Sequence, residues 1–216
     1  MFKFLDKKWS EFPLSRLKNK LFDSSTIHNN SLDQIYNIYD LHRYINAFTK
    51  CELKKNSKNT VIFDGKINSN IMIIGEAPGE EEDNQGIPFV GKSGKILRQM
   101  LEDTGITEYY ITNAVFWRPP NNRKPTDVEI SICKPMVLKQ IELVNPSYIL
   151  LLGSTALQLL FDYKYTISKQ RGKVLYWNNR LVFSSFHPSY ILRMAKYKYL
   201  LQNDLTSFKS FINIKN

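Results

Sequence analysis

Three separated segments of the chain carry residue types that could do chemistry together. Residues 75–91 hold acidic side chains among recurring glycines and prolines, and residues 113–125 begin with an asparagine and end in a basic loop. Residues 186–193 contain His187, one of three histidines in the chain and the one that lies in a motif. Carboxylates, an amide and an imidazole can together bind a polar ring, hold a water molecule and stabilise a developing charge.

The elements around these segments have the pattern of an α/β protein. Ile71–Ile74 is a short apolar run that ends at Gly75, as buried parallel strands do, and Tyr109–Ala114 and Leu181–Ser184 also have strand character. Strands alternate with helical patterns, which predicts a three-layer α/β/α sandwich with a central, mostly parallel sheet. The carboxyl ends of parallel strands open on one edge, so we expect the three segments to meet in one pocket.

Local signals predict several boundaries. Ser31 is expected to cap a helix whose apolar positions continue to Ile45. Thr60–Phe63 is expected to be a strand, followed by a turn at Asp64-Gly65. Residues 75–91 are expected to form one long shaped loop without regular structure, because glycine and proline recur through them.

The totals describe one basic globular domain. The chain has 216 residues and a net charge of +10, which favours a polyanionic partner such as nucleic acid. We expect residues 1–30 to be an N-terminal extension and residues 31–216 to be the domain. No apolar run approaches the ~18 residues of a membrane span, and the N-terminal apolar stretch is too short for a secretory signal. We therefore expect a cytoplasmic monomer with no membrane partner.

The order and spacing of these motifs resemble the uracil-DNA glycosylase superfamily, most closely its family 4, over about residues 48–205. The matching motifs are Gly75-Glu76-Ala77-Pro78-Gly79 with Glu82-Asp83, Pro88-Phe89-Val90-Gly91, Thr112-Asn113, Arg118-Pro119-Pro120, and His187-Pro188-Ser189 with Leu192-Arg193. The resemblance implies a base excision repair enzyme that hydrolyses the N-glycosidic bond of uracil in DNA. No lysine in these motifs is placed for Schiff-base chemistry, so strand cleavage is not expected.

The resemblance also implies roles for the matched residues. Phe89 would stack on the extruded uracil, and Asn113 would recognise its O4 and N3–H edge. Ala77 would also bind the uracil, because backbone N–H groups near Glu76 and Ala77 would add to the site for the developing oxyanion. His187 would donate a hydrogen bond to uracil O2 as negative charge develops there. Ala77 stands where the best-known family carries an aspartate, so the residue that activates water stays open. The candidate acids are Glu76, Glu82 and Asp83.

On the DNA side, the resemblance implies that residues after the histidine enter the duplex. Ser189 would follow the histidine toward the DNA, and Ile191 or Leu192 would fill the gap left by the flipped base. The candidate phosphate contacts are Lys92, Arg118, Arg123, Lys124 and Arg193.

One feature departs from the family. Members of this type usually hold a 4Fe–4S cluster on four cysteines, but two of those positions are Phe48 and Trp117 here, and only Cys51 and Cys133 remain. A cluster needs four protein ligands, normally thiolates, so we expect no metal and no cofactor, with aromatic rings filling the cluster volume. The alternative ligands would be His28 and His42.

Two other functions stay open at this point. A non-catalytic DNA- or damage-binding module would keep the pocket without turnover. A small-molecule phosphate or nucleotide binder would use the glycine-rich loop. That loop, however, lacks the P-loop spacing and carries five acidic residues, which repel phosphate.

Overall fold

The computed structural model describes residues 31–161 and 163–214, so the expected extension at residues 1–30 lies outside the described residues. The strands are Asp64–Gly65 (β1), Ile71–Gly75 (β2), Tyr110–Asn113 (β3), Tyr148–Leu152 (β4), Val174–Trp177 (β5) and Arg180–Ser185 (β6). They form one sheet in the order β1-β3-β2-β4-β6-β5. The four inner strands are parallel and the two edge strands pair antiparallel, which confirms the mostly parallel sheet.

Helices cover both faces of the sheet, which confirms the three layers. They are Ile38–Ala47 (α1), Leu53–Asn56 (α2), Glu80–Gln85 (α3), Lys92–Asp103 (α4), Asp127–Val144 (α5), Ser154–Leu160 (α6), Ile167–Gln170 (α7), Pro188–Arg193 (α8) and Lys198–Ile214 (α9). Successive strand side chains point to opposite faces. Met72 and Ile74 therefore pack with α1, α5 and α6, whereas Ile73 packs with α4, α8 and α9.

The predicted start of the first helix was wrong. The α-helix begins at Ile38, and only a short 3-10 turn follows Ser31. The side chain of Asn37 accepts a hydrogen bond from the Asp40 N–H at 2.9 Å, so Asn37 is the N-cap. A cap with a local hydrogen bond defines the first turn more strongly than the continuing apolar pattern upstream.

The expected strand at Thr60–Phe63 and turn at Asp64-Gly65 were also wrong. No strand is assigned at residues 60–63, although the Val61 N–H donates to the Phe116 carbonyl at 2.8 Å. Asp64-Gly65 instead forms β1, paired antiparallel with Tyr110 and Ile111. Asp and Gly are residue types typical of turns, but Asp64 and Gly65 form an edge strand here because they pair with the backbone of β3.

The segment between β2 and α4 contains the helix α3, so the expectation of a wholly irregular loop was wrong. The recurring glycines of this segment had favoured irregular structure in the sequence analysis. Gly79 caps α3, and the Glu82 carboxylate accepts a hydrogen bond from the Gly79 N–H at 3.0 Å. Four acidic residues occupy the first turn, where negative side chains interact favourably with the helix dipole. Gly86 ends the helix with a φ of 72°, a conformation that glycine adopts without strain.

Thr126 and Glu129 form a capping box at the start of α5. Thr126 accepts a hydrogen bond from the Glu129 N–H, and the Glu129 carboxylate accepts one from the Thr126 N–H. In the part of the chain that the structure describes, no helix combines the length and the apolar character needed to cross a membrane.

The topology places the site at the middle of the sheet. β2 lies between β3 and β4, so the chain leaves β2 toward one side and later returns to pair on its other side. Ligands of open α/β sheets bind at such a switch point, beyond the carboxyl ends of the strands. Gly75, Asn113, Leu152 and Ser185 end the four parallel strands there.

Candidate active site

Gly75 is the backbone position on which the aromatic ring and the amide of the site converge. A Cβ atom placed on Gly75 would lie 2.3 Å from the Phe89 Cζ and 2.5 Å from the Asn113 Oδ1. Both side chains are buried. The structure therefore brings Phe89 and Asn113 together, as the sequence predicted, and any side chain at residue 75 would occupy the space where they meet.

The backbone of Phe89 is strained and is held from outside the loop. Its φ is 57°, an uncommon value for a large side chain that persists where surrounding contacts enforce it. Arg98 in α4 supplies such contacts: Nε donates to the Phe89 carbonyl at 2.9 Å and Nη2 donates to the Pro88 carbonyl at 2.9 Å. The same Nη2 donates to Asp64 at 2.6 Å.

Arg98 is a functional residue that the sequence analysis missed. Gly94 supports the same place, since a Cβ there would come within 2.2 Å of the Phe89 carbonyl carbon. The available signal was a single arginine beside Leu97 on the helix that directly follows the loop. That signal does not reveal which carbonyl groups the guanidinium reaches, because these depend on the path of the loop.

The two ring nitrogens of His187 have different surroundings: Nδ1 is hydrogen-bonded to Ser189, and Nε2 is the nitrogen left for a ligand. It caps α8, and its Nδ1 accepts a hydrogen bond from the Ser189 N–H at 3.3 Å and lies 2.8 Å from the Ser189 Oγ. Because Nδ1 is an acceptor, the proton of the neutral ring sits on Nε2. Nε2 is buried and has no hydrogen-bond partner among the described residues. The ring centroids of His187 and Phe89 are 6.0 Å apart.

Burial keeps the imidazole of His187 neutral. It lowers the pKa of His187 below the ordinary value of 6.5, against the opposing effect of the Glu76 and Glu82 carboxylates, while the charge of Arg193 lowers it further. A neutral imidazole at pH 7 is a hydrogen-bond donor through Nε2. It can therefore stabilise an oxygen that becomes negative during a reaction.

Asn113 carries a second unsatisfied polar atom. Its Oδ1 is buried without a hydrogen-bond partner in the described part of the chain. Buried polar atoms are nearly always hydrogen-bonded, and those that are not require an explanation. Both residues lie near the Phe89 ring: the Asn113 Oδ1 and that ring meet at Gly75, and the His187 ring centroid is 6.0 Å from the Phe89 centroid. A ligand with both a donor and an acceptor would satisfy them.

Glu82 has a different place from the one expected of a water-activating acid. Its Oε2 accepts a hydrogen bond from the Gly79 N–H at 3.0 Å. Its Oε1 accepts hydrogen bonds from the Val90 N–H at 3.0 Å and the Gly91 N–H at 2.8 Å. The buried carboxylate thus joins the two ends of the loop, and both of its oxygens are committed to the backbone.

Asp83, the third candidate acid, is held by backbone amides through one of its carboxylate oxygens. Its Oδ1 accepts hydrogen bonds from the Lys58 N–H at 2.9 Å and the Asn59 N–H at 3.1 Å. The Asn59 side chain in turn donates to the Asp83 carbonyl at 2.7 Å. Asp83 is buried and fastens α3 to the connector before β1.

Glu76 is the acid that stays available beside the histidine. It is partly exposed directly after β2, and its Oε2 accepts a hydrogen bond from the Thr155 hydroxyl at 2.6 Å. Ala77 follows it, partly buried against the core. Thr155 was not singled out in the sequence analysis. The signal was its position in Gly153-Ser154-Thr155, directly after a buried strand and therefore at the same sheet edge.

The DNA-side candidates divide according to their exposure and contacts. Ile191 is buried in the core and cannot act as a wedge, whereas Leu192 is 47% exposed. Arg118 is partly buried and bonds Asn122, and Arg123 forms a two-pronged ion pair with Glu129. Lys92, Lys124 and Arg193 have exposed side chains, and Arg123 is also exposed but is held by its ion pair with Glu129.

The four positions expected to match cluster ligands hold two aromatic rings and two thiols. The Phe48 and Trp117 rings stack with centroids 6.2 Å apart. The buried thiols of Cys51 and Cys133 hydrogen-bond to each other, which lowers the pKa of Cys51 to about 7 and raises that of Cys133. Two thiols beside two aromatic rings do not fit a 4Fe–4S cluster.

No alternative ligands complete that set in the structure. Nowhere in residues 31–161 and 163–214 do three or more His, Cys, Asp or Glu side chains converge as metal ligands would. His42 stacks on Phe63 with centroids 4.3 Å apart, and its Nε2 lies 3.2 Å from the Tyr110 hydroxyl. His28 lies outside the described residues.

The fold, a mostly parallel sheet with helices on both faces, and the site at the carboxyl ends of its strands define a class of α/β protein. Comparison with known families identifies that class. The family profile of the Uracil DNA glycosylase superfamily matches residues 62–209, and the chain belongs to this superfamily. The chain is 42% identical over 170 residues to a type-4 uracil-DNA glycosylase of Thermotoga maritima, covering 76% of this chain and 88% of that protein. It is 39% identical over 177 residues to the type-4 uracil-DNA glycosylase of Saccharolobus solfataricus, covering 77% and 82%.

Proposed function

We propose that this chain hydrolyses the N-glycosidic bond of uracil in DNA, releasing free uracil and leaving an abasic site. The observation that carries the proposal is the pair of buried, unpartnered atoms Asn113 Oδ1 and His187 Nε2 beside Phe89. Uracil offers an N3–H to the amide oxygen, an O2 acceptor to the imidazole, and a flat face to the ring. The names of the type-4 relatives support the same substrate.

In the proposed reaction, the uracil first leaves the base stack, at a cost of a few kcal/mol that the pocket recovers by stacking and hydrogen bonding. Cleavage of the bond leaves negative charge on uracil O2 and an oxocarbenium-like sugar. His187 then stabilises the oxygen through its Nε2 proton. Glu76 is the acid proposed to hold the attacking water and stabilise the sugar cation, because Glu82 and Asp83 are bound to backbone amides.

We propose that Leu192 fills the gap left by the flipped base and that Lys92, Lys124 and Arg193 contact phosphates. The exposure of these side chains and the net charge of +10 support this assignment. Arg118, Arg123 and Ser189 then act within the protein, because each is bonded to a neighbouring side chain. We also propose that the chain works without an iron–sulfur cluster, since its donor set does not fit one.

The decisive experiment measures single-turnover release of uracil from a labelled single-stranded oligonucleotide that contains one uracil. The wild-type chain should produce an alkali-sensitive abasic site. His187→Ala should lower the rate by ~10²-fold or more, the effect of losing one oxyanion donor, with little change in DNA binding. His42→Gln, which alters a histidine on another helix, is the matched control. Binding without any uracil release by the wild type would favour the non-catalytic module.

A further inference from the structure

We infer that Thr155 is a positioning residue for Glu76, and that the turn containing it sets the acid and the histidine of the site relative to each other. The inference rests on the proposed function, and it adds a residue from a strand end that none of the matched motifs includes. It also gives a physical reason why Glu76, among the three candidate acids of the loop, can act on the sugar.

The hydrogen bond between Thr155 and Glu76 is short, and its donor residue, Thr155, is buried. Thr155 is fully buried in the first turn of α6, and its Oγ1 lies 2.6 Å from the Glu76 Oε2. A carboxylate cannot donate when ionised, so the hydroxyl donates, and hydrogen bonds to ionised acceptors are the stronger kind. Threonine is β-branched and stiff at χ1, so the direction of this donor is largely fixed by the helix.

The same turn contacts the histidine through Gly153. The φ of Gly153 is 91°, a conformation that favours glycine, and a Cβ there would lie 3.0 Å from the His187 Cβ. The Gly153 N–H donates to the Ser185 carbonyl at 2.9 Å, two residues before His187. Residues 153–155 therefore touch the histidine segment at one end and the acid at the other.

This arrangement assigns the two carboxylate oxygens to different tasks. Oε2 is occupied by Thr155, so Oε1 is left to hold the attacking water near the sugar. Catalysis by a positioned water depends on geometry, and a misplacement of about 1 Å can lower a rate by as much as ~10²-fold. Without the hydroxyl, the Glu76 side chain is free to rotate away, although DNA binding and the uracil contacts remain.

The test compares Thr155→Val, which keeps the shape and removes the donor, with Thr155→Ser, which keeps the donor. Thr155→Val should lower the single-turnover excision rate by ~10-fold or more, whereas Thr155→Ser should stay within ~3-fold of wild type. Affinity for uracil-free DNA should stay within ~2-fold for both. Thr104→Val, which removes a partly buried hydroxyl at the far end of α4, is the matched control and should change nothing.

A double-mutant cycle with Glu76→Ala separates positioning from a structural role. If Thr155 acts through Glu76, adding Thr155→Val to Glu76→Ala should change the rate by less than ~2-fold. Additive losses, or equal activity of the valine and serine variants, would overturn the inference. An inactive wild-type chain would instead refute the proposed function, so the two failures are distinguishable before any variant is compared.

Discussion

Asn113 and His187 each bury a polar atom for which the described residues provide no partner. Leaving a buried polar group unsatisfied costs ~1–3 kcal/mol, so a bound ligand that lacked a matching donor or acceptor at either atom would incur this penalty. A site of this kind is organised before its ligand arrives and selects the ligand whose donors and acceptors match. The identity of the amide at residue 113 should therefore determine which base is accepted.

Asn113→Asp should lower uracil excision and improve the relative acceptance of cytosine. A carboxylate would meet the uracil O4 as acceptor against acceptor, whereas the exocyclic amine of cytosine would find an acceptor. The discrimination should shift by ~1–3 kcal/mol, the value of a good base-edge contact. The measurement is excision of each base from matched oligonucleotides. Asn46→Asp, which adds the same charge on the exposed face of α1, is the control.

The proposed role of Asn113 would be withdrawn if the aspartate variant excised uracil at the wild-type rate. Equal losses in the Asn113 and Asn46 variants would point instead to the added negative charge weakening DNA binding.

At the residue scale, the sequence was sufficient to predict that Phe89, Asn113 and His187 lie close together, because each follows a recognisable strand or motif. It could not separate the acids, because the role of a carboxylate depends on the donors that folding delivers to it. Glu82 receives three backbone amides from both ends of the loop. No local pattern announces those contacts, since Val90 and Gly91 lie eight and nine residues further along the chain.

At the scale of elements, the loop that carries Phe89 depends on α4. Arg98→Lys should lower the excision rate by ~10-fold, because a single ammonium cannot replace a guanidinium that bonds two carbonyls and Asp64 at once. The strained Phe89 backbone would then relax and move the ring. The single-turnover excision rate and the affinity for free uracil should both fall, whereas the affinity for uracil-free DNA should stay unchanged.

The control for this substitution is Arg43→Lys, which makes the same chemical change in an exposed ion pair with Asp40 on α1. Surface pairs of this kind contribute ~0–1 kcal/mol, so the control should behave as wild type. A fully active Arg98→Lys enzyme would show that the loop holds Phe89 without the guanidinium.

The elements also show where sequence patterns fail. β2, β3 and β6 were predicted because each has a strand pattern that can be recognised locally. β1 and α3 were missed because their residues, Asp64-Gly65 and an acidic run between glycines, favour turns when considered alone. β1 depends on pairing with β3, which is a contact across the fold. α3 begins with a local bond between the Gly79 N–H and Glu82, and the Glu82 carboxylate also accepts from the Val90 and Gly91 N–H groups beyond the helix.

At the scale of the whole molecule, the proposed absence of a cluster is directly testable. Protein purified without air should be colourless, with iron far below one equivalent per chain. The double variant Cys51→Ser and Cys133→Ser should keep its excision activity and lose some stability, on the order of 1–3 kcal/mol per buried hydroxyl left unsatisfied. Stoichiometric iron and sulfide, or loss of activity together with loss of iron, would contradict the proposal.

Stability of the whole domain should also depend on His42. Burial lowers its pKa from 6.5 to about 4, so between these values the unfolded chain binds more protons than the folded one. This contribution to stability is fully present above pH 6.5 and is lost as the pH falls toward 4. The loss should reach about 1–3 kcal/mol, because the side chain is only partly buried.

Urea unfolding at a series of pH values between neutrality and 4 measures this dependence. His42→Gln keeps a polar partner for Tyr110 and should flatten the curve, while His187→Ala should keep the His42 contribution. A His42→Gln curve parallel to that of the wild type would show that other groups account for the acid sensitivity.

The Glu82 carboxylate has a consequence for how the site opens. The amides of Gly79, Val90 and Gly91 all donate to this one side chain, although they lie on opposite sides of the intervening α3. A fluctuation that withdraws the carboxylate exposes all three amides at once, so they should exchange their hydrogens with solvent as a single cooperative unit. The loop over the pocket would then open by release of one anchor at its base, and its two ends would part together.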